Sequence, residues 1–223
     1  MSPQANQWNK TYVSEKKVWG DKPSELAVYA CNYLKESRQF QNKADISILD
    51  VGCGYGRDDI FLAQNLPCHI LALDNSEKAI EMARESIPKP LQKRIELLCY
   101  DFTAVNEKYD VIFAANLYHL LKAEERVKLI HTIQYCLKKD GLLFLNTFSI
   151  RDPQHYGKGH KVDDEEHSFI DEHYMRFSSR SDLEKDFAFL DIPALFEWSF
   201  RERRVNGDHR HVAWLLMGKN SKS

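Results

Sequence analysis

The sequence predicts an α/β fold: a mostly parallel seven-stranded sheet that ends in an antiparallel β-hairpin and carries helices on both faces. Three observations lead there. From Ile46 onward, short apolar runs alternate with helical stripes. The first run passes into the first helix of the alternation through Gly52, Gly54 and Gly56. Near the end of the chain, two stretches of strand character flank the turn signal Asn206-Gly207-Asp208. Strands that alternate with helices form a sheet covered on both faces, and ligands bind such sheets at the carboxyl ends of the strands.

The elements follow in order. Pro23, Ser24, Glu25 and Leu26 mark a helix start, and Leu26, Tyr29, Ala30, Tyr33 and Leu34 form its apolar stripe. Ile46 to Val51 reads as a strand, Arg57 to Leu66 as a helix and Cys68 to Leu73 as a second strand, which makes a βαβ unit. Ser76 can cap a helix that runs through Ser86. Arg94 to Tyr100 and Tyr109 to Ala115 are the next strands, Glu124 to Leu137 is a helix closed by Gly141, and Leu142 to Phe148 is the fifth strand. The polar stretch from Ser149 to Glu172 then breaks the alternation. Arg180 to Phe187 has helical character, and Leu190 to Phe200 with Val212 to Met217 supply the closing hairpin. The expected organisation is one domain over residues 1–223: an N-terminal helical cap (1–45), a core (46–148), a lid insertion (149–180), and a terminal helix and hairpin (181–220). Met1 to Ala5 and Asn220 to Ser223 read as frayed ends.

Composition narrows the function. A 43% hydrophobic and 12% aromatic content can fill a sizeable core. The 31 Lys and Arg against 33 Asp and Glu leave a formal charge of −2, which gives no overall positive field for nucleic acid. Met1 to Lys10 holds no apolar signal core and no later run is long enough to span a bilayer, so a cytoplasmic protein without a membrane partner is expected. Cys31, Cys53, Cys68, Cys99 and Cys136 form no CxxC pair, which argues against a disulfide framework or a cysteine zinc site.

Chemistry concentrates at the strand ends. In Ile48-Leu49-Asp50-Val51-Gly52-Cys53-Gly54-Tyr55-Gly56-Arg57 the glycines allow unusual backbone angles and let the main chain approach a ligand closely. Arg57 stands where a dinucleotide fingerprint wants its third glycine, which lowers the nicotinamide reading. Asp74, at the end of the second strand, can accept hydrogen bonds from ribose hydroxyls. Tyr100-Asp101-Phe102 places an acid and an aromatic ring at the end of the third strand, and Asn116, Leu117 and His119 follow the fourth. Taken singly, each is matched by an ordinary tight turn or a solvated carboxylate; taken in order at successive strand ends, they point to a nucleoside.

At these residues, over Ser47 to Phe148, the chain resembles the class I S-adenosylmethionine-dependent methyltransferases. The resemblance implies their Rossmann-like fold, S-adenosylmethionine as cofactor and S-adenosylhomocysteine as product. It assigns Asp50, Gly52, Gly54 and Gly56 to the pocket for the methionine part and Asp74 to the ribose, with Cys53, Arg57, Asn75 and Ser76 also expected among the cofactor-binding residues. Asp101 and Phe102 go to adenine, and Asn116 and Leu117 to the methionine tail and sulfonium. Lys138 to Leu143 looks like the family's turn into the fifth strand. The Gly-Tyr-Gly-Arg turn, the loop after strand five and the terminal hairpin are also similar to a tellurite-resistance-type small-molecule branch. Where that branch carries a His-Arg pair and a further Arg, this chain reads Phe200-Arg201-Glu202-Arg203-Arg204 and His209-Arg210-His211.

Six of the nine histidines follow Ile150, with separations that fit no standard zinc spacing, so no metal is expected. Tyr156, His160, His167, Arg176 and Phe177 could form a cap that selects the acceptor. Arg201, Arg203, His209 and His211 read equally as substrate contacts or as one solvated strand face. Methyl transfer needs alignment more than side-chain chemistry. If the acceptor must lose a proton, His119 is the first expected base, with His160 and His167 behind it, then His209 and His211. The expected partner is a small-molecule acceptor, and the oligomeric state is not legible. The alternatives are an NAD-dependent oxidoreductase on a related fold and a non-catalytic adenosylmethionine-binding protein.

Overall fold

The residues that alternate along each apolar run divide between two cores on opposite faces of one sheet. A computed structural model describes residues 3–15, 20–204 and 207–221. Helices α1 (Pro3–Glu15), α2 (Glu25–Glu36) and the short α3 (Arg38–Gln41) precede β1 (Ile46–Val51), α4 (Arg57–Asn65), β2 (Cys68–Asp74), α5 (Glu77–Ser86) and β3 (Ile95–Cys99). Then come β4 (Tyr109–Ala114), α6 (Ala123–Cys136) and β5 (Leu137–Phe148). Three short strands, β6 (His160–Lys161), β7 (Ser168–Ile170) and β8 (Tyr174–Arg176), lead to α7 (Arg180–Asp186), β9 (Asp191–Arg204) and β10 (Gly207–Lys219).

The seven-stranded sheet has the order β3-β2-β1-β4-β5-β10-β9. Neighbours from β3 to β5 are parallel, and β10 runs antiparallel to both β5 and β9. Ile48, Val111, Phe113, Phe144, Leu215 and Met217 meet Leu26, Leu34 and Leu62 of α2 and α4 on one face. On the other face Leu49, Ile112, Leu143, Leu145 and Leu216 meet Leu129 and Ile133 of α6 and Leu183 of α7. Period-two side chains buried on both faces are what a helix-covered parallel sheet requires. Strand order reverses between β1 and β4, so a crevice opens at their carboxyl ends.

Two polar anchors set the helices around that crevice. The Ser24 hydroxyl caps α2 by accepting from Ala27 N at 3.1 Å and donates to Asp58 Oδ2 at 2.7 Å, while Ser24 N donates to Asp58 Oδ1 at 2.7 Å. Ser76 caps α5 through Ala79 N and donates to Asn9 of α1 at 2.7 Å.

Three segments differ in detail from the expectations. Residues 3–10, expected within the N-terminal helical cap and read otherwise as polar with a frayed start, lie in α1, which faces the protein with Trp8 and Tyr12, four residues apart. Gly141 does not separate α6 from the next strand: β5 begins at Leu137, with Asp140 at φ 60° and a register shift against β4. A Cβ at Gly141 would come within 3.0 Å of the Asp110 carbonyl, so glycine lets the two backbones pass. The polar insertion, expected as a lid, carries over its second half the three-stranded antiparallel sheet β6-β7-β8. It is pinned to α6 by the Arg126–Glu165 ion pair and by Arg126 Nη1, which donates to the Tyr174 hydroxyl at 3.1 Å. Asn206 of the predicted hairpin turn lies outside the described residues. Among the described residues, no helix is long and apolar enough to cross a membrane.

Candidate functional site

A cavity of about 280 Å³ opens at the carboxyl ends of β1 to β4. Asp50, Gly52, Cys53, Gly54, Arg57, Asp74, Asn75, Asp101, Phe102, Asn116 and Leu117, all expected from the sequence, line it. Gly56 and Ser76 stand behind the lining, Gly56 as the left-handed N-cap of α4 and Ser76 as the cap of α5.

The glycine turn is shaped by what lies against it. Gly52 has φ 81°, and a Cβ there would sit 3.1 Å from the Leu117 side chain; Gly54 has φ 56°, and a Cβ would sit 3.0 Å from the Tyr12 hydroxyl. Both positions need glycine for backbone angle and for space. Asp74 locks the turn, accepting from Gly54 N and Ser76 N, each at 2.9 Å. Burial raises its carboxyl, opposed by these amide hydrogen bonds. Each carboxylate oxygen keeps a second lone-pair direction suited to a hydroxyl. Asp101 Oδ1 accepts from Thr103 N and Oγ1, which fixes the next turn and sets Phe102 at the rim.

Beneath the turn the site is acidic. Burial, with Asp59 and Asp58 beside it, pushes the Asp50 carboxyl well up, and burial pushes Asp59 up to about 7. Asp50 Oδ1 has no hydrogen-bond partner among the described residues. A buried acceptor of this kind calls for a ligand that brings donors or positive charge. The Cys53 thiol is also raised by burial and by the neighbouring acids, which fits a spacer rather than a nucleophile.

A second cavity of about 300 Å³ shares Trp8, Arg57, Asn116 and Leu120 with the first. Asn116 stands at the junction in a left-handed conformation, φ 54°. It is held reciprocally: Asn116 N donates to Asn146 Oδ1 at 2.6 Å, and Asn146 Nδ2 donates to Asn116 Oδ1 at 2.8 Å. Left-handed angles at a non-glycine residue persist where surrounding contacts over-determine them, often at functional sites.

Among the expected acceptor-side residues, His119, Arg201 and His211 line the second cavity. His119 is 1% exposed, and neither ring nitrogen has a hydrogen-bond partner among the described residues. Burial, with His155 nearby, pushes its imidazole down to about 3, so it is neutral at pH 7 and a poor proton acceptor. This weighs against its expected role as base. His160 and His167 line neither cavity: both lie in the β6-β7-β8 insertion, and the Tyr156 hydroxyl engages His167 Nδ1 at 2.8 Å. Tyr156, Phe177, Arg176 and His209 are also outside both linings; Phe177 is buried in a satellite core and Arg176 pairs with Asp182 at 3.2 Å. The Arg203 side chain lies outside the described residues. Sequence reasoning missed Trp8, Tyr12, Thr103, Asn146 and His155. Of these only Asn146 carried a signal, as a polar residue inside an apolar strand.

Residues 48–141 match the family described as a methyltransferase domain. Over 108 residues the chain is 32% identical to (S)-coclaurine N-methyltransferase from Thalictrum flavum subsp. glaucum, covering 47% of this chain and 29% of that one. The chain spans well under two thirds of the length of the curated relatives it matches first. Its fold is similar to that of TehB from Haemophilus influenzae, with a TM-score of 0.66 and 18% identity over 95% of this chain and 66% of that one. It is also similar to magnesium protoporphyrin IX methyltransferase from Synechocystis PCC 6803 with bound S-adenosylmethionine, with a TM-score of 0.69 and 15% identity over 99% of both chains. With this sheet order and this glycine turn, residues 48–141 match a methyltransferase domain, and the chain as a whole has the fold of the class I S-adenosylmethionine-dependent methyltransferases.

Proposed function

We propose that this chain transfers the methyl group of S-adenosylmethionine to a small molecule held in the second cavity. The observation that carries the reading is the junction of the two cavities at Asn116, which the Asn116–Asn146 pair holds rigidly. S-adenosylmethionine supplies an activated methyl group on a positively charged sulfur. Asp74 would bind the ribose hydroxyls, Asp101 and Phe102 the adenine, and Asp50 with the glycine turn the methionine end. Trp8 and Arg57 would border both ligands, and together with Leu120 would keep water from the point of transfer. The near-neutral charge of the chain supports a small acceptor over nucleic acid, and its five free cysteines support a cytoplasmic setting.

The test is transfer of label from methyl-labelled S-adenosylmethionine in a lysate fractionated by size. The expected result is label in the low-molecular-mass fraction that depends on added protein. Label confined to protein or RNA contradicts the small-molecule reading.

A further inference from the structure

The imidazoles around the second cavity are not equivalent. His211, on β10, is 1% exposed, and its Nδ1 lies 3.2 Å from Asp152 Oδ2. Asp152 is itself fully determined: Oδ2 also accepts from Val212 N at 2.9 Å, and Oδ1 accepts from Gln154 N and His155 N. Burial alone would raise its carboxyl, but the hydrogen bonds from His211 and the backbone amides hold it below the ordinary value, so it is a carboxylate at neutral pH. A carboxylate on Nδ1–H fixes the tautomer with Nε2 as the lone-pair atom and stabilises the imidazolium that forms on proton uptake. The His211 ring is bracketed by Phe148 and Phe200, at centroid separations of 5.5 and 5.1 Å, and stacks on His155 at 5.1 Å.

The walls of the cavity identify the kind of molecule it would take. Trp8, Phe148, Trp198 and Phe200 present flat apolar rings. Among the described residues, both His119 ring nitrogens and the Trp198 indole nitrogen are buried and lack hydrogen-bond partners. Aromatic walls with a few unmatched polar atoms suit a planar ring carrying heteroatoms. Lys22, Glu25, Glu172 and Arg201 all border the cavity, so neither charge sign dominates its edge.

We propose that the second cavity takes a planar aromatic acceptor whose methyl-accepting heteroatom carries a dissociable proton, and that His211, oriented by Asp152, removes that proton. This inference rests on the reading of the two cavities as donor and acceptor sites. The heteroatom's lone pair forms the new bond to the methyl carbon, the carbon–sulfur bond breaks with its electrons on sulfur, and the heteroatom's proton passes to His211 and then to solvent. His119, neutral and buried, binds the ring's polar atoms without taking the proton. Asp152 is a positioning residue.

The experiment uses the full chain saturated with S-adenosylhomocysteine. The probes are 4-nitrophenol for an acidic O–H, benzotriazole for an acidic ring N–H, 4-nitroanisole for a ring without the proton, and cyclohexanol for a hydroxyl without the aromatic ring. Quenching of tryptophan fluorescence reads occupancy, and the phenolate absorption band reads proton transfer from 4-nitrophenol. The expected result is saturable binding of the aromatic probes but not of cyclohexanol, with a larger phenolate fraction for bound than for free 4-nitrophenol at the same pH. His211→Asn and His211→Gln should bind 4-nitrophenol but lose that phenolate gain, and Asp152→Asn should reduce it. With any acceptor found, the His211 variants should turn over about 10²- to 10⁴-fold more slowly. If S-adenosylhomocysteine binds and neither acidic probe does, or if the phenolate gain is the same in the His211 variants, this inference alone is overturned. Failure to bind S-adenosylhomocysteine in a parallel calorimetric titration overturns the donor-site reading as well.

Discussion

Asp59 sits fully buried beneath the glycine turn with its carboxyl raised to about 7, chiefly by burial, while Asp50 and Asp58 crowd the same spot. An unfolded aspartate releases its proton near pH ~4. The folded chain therefore holds a proton that the unfolded chain gives up, and the stability this contributes is present below that value and lost as pH rises through about 7. Urea unfolding without ligand should show stability falling between those values, and Asp59→Asn should flatten the fall. A cationic ligand beside the cluster favours its ionised form. Affinity for S-adenosylmethionine should therefore rise with pH through about 7 with proton release, measurable by calorimetry in buffers of different ionisation heat. S-adenosylhomocysteine, whose sulfur is uncharged, should show a shallower dependence. A pH-independent affinity for both ligands would contradict this electrostatic picture.

Helix α1 and the start of α2 are where the chain closes over its own site. Ser24→Ala removes the α2 cap and the hydroxyl bond to Asp58 at once, while the bond from Ser24 N to Asp58 remains. A lost cap costs about 0.5–2 kcal/mol, and for a chain of this size each kcal/mol lowers Tm by about 2–4 °C. A thermal melt should show a drop of about 1–8 °C; an unchanged Tm would mean that this cap and its bond to Asp58 do not anchor the segment. Trp8→Ala should weaken binding in both cavities, since Trp8 lines both while it stacks on His173 at 5.6 Å. The β1 to β5 alternation was legible because each strand is an unbroken apolar run with a helix between, and the hairpin because of its turn signal. Helix α1 was legible only as part of a helical cap over residues 1–45, without bounds of its own, because a surface helix that contacts the body through two rings has no apolar stripe. The β6-β7-β8 sheet was not legible either, because strands of two or three residues carry no periodicity and are held by long-range pairs such as Arg126–Glu165.

The molecule as a whole places a crevice, the proposed nucleoside site, at the strand switch and a ring-lined chamber beside it, with β10 delivering His211 to the chamber and the segment after β5 setting Asp152 against that ring. The crevice was legible because its residues follow one another along β1 to β4 at strand ends. The chamber was only half legible: His119, Arg201 and His211 were among the expected residues, but Asp152, Asn146 and Trp8 come from segments that only the fold brings together. A ligand at a hundredfold excess over its Kd stabilises by about 2.7 kcal/mol. S-adenosylmethionine should accordingly raise Tm by several degrees and NAD should not; the reverse order would favour the oxidoreductase alternative. The most direct test is a calorimetric titration of the purified, folded chain with S-adenosylhomocysteine, alongside Asp74→Ala and His211→Asn. Saturable binding that falls more than tenfold in the Asp74 variant and survives in the His211 variant is the expected result. No heat of binding, or an affinity indifferent to Asp74, would contradict the donor site on which the whole account stands.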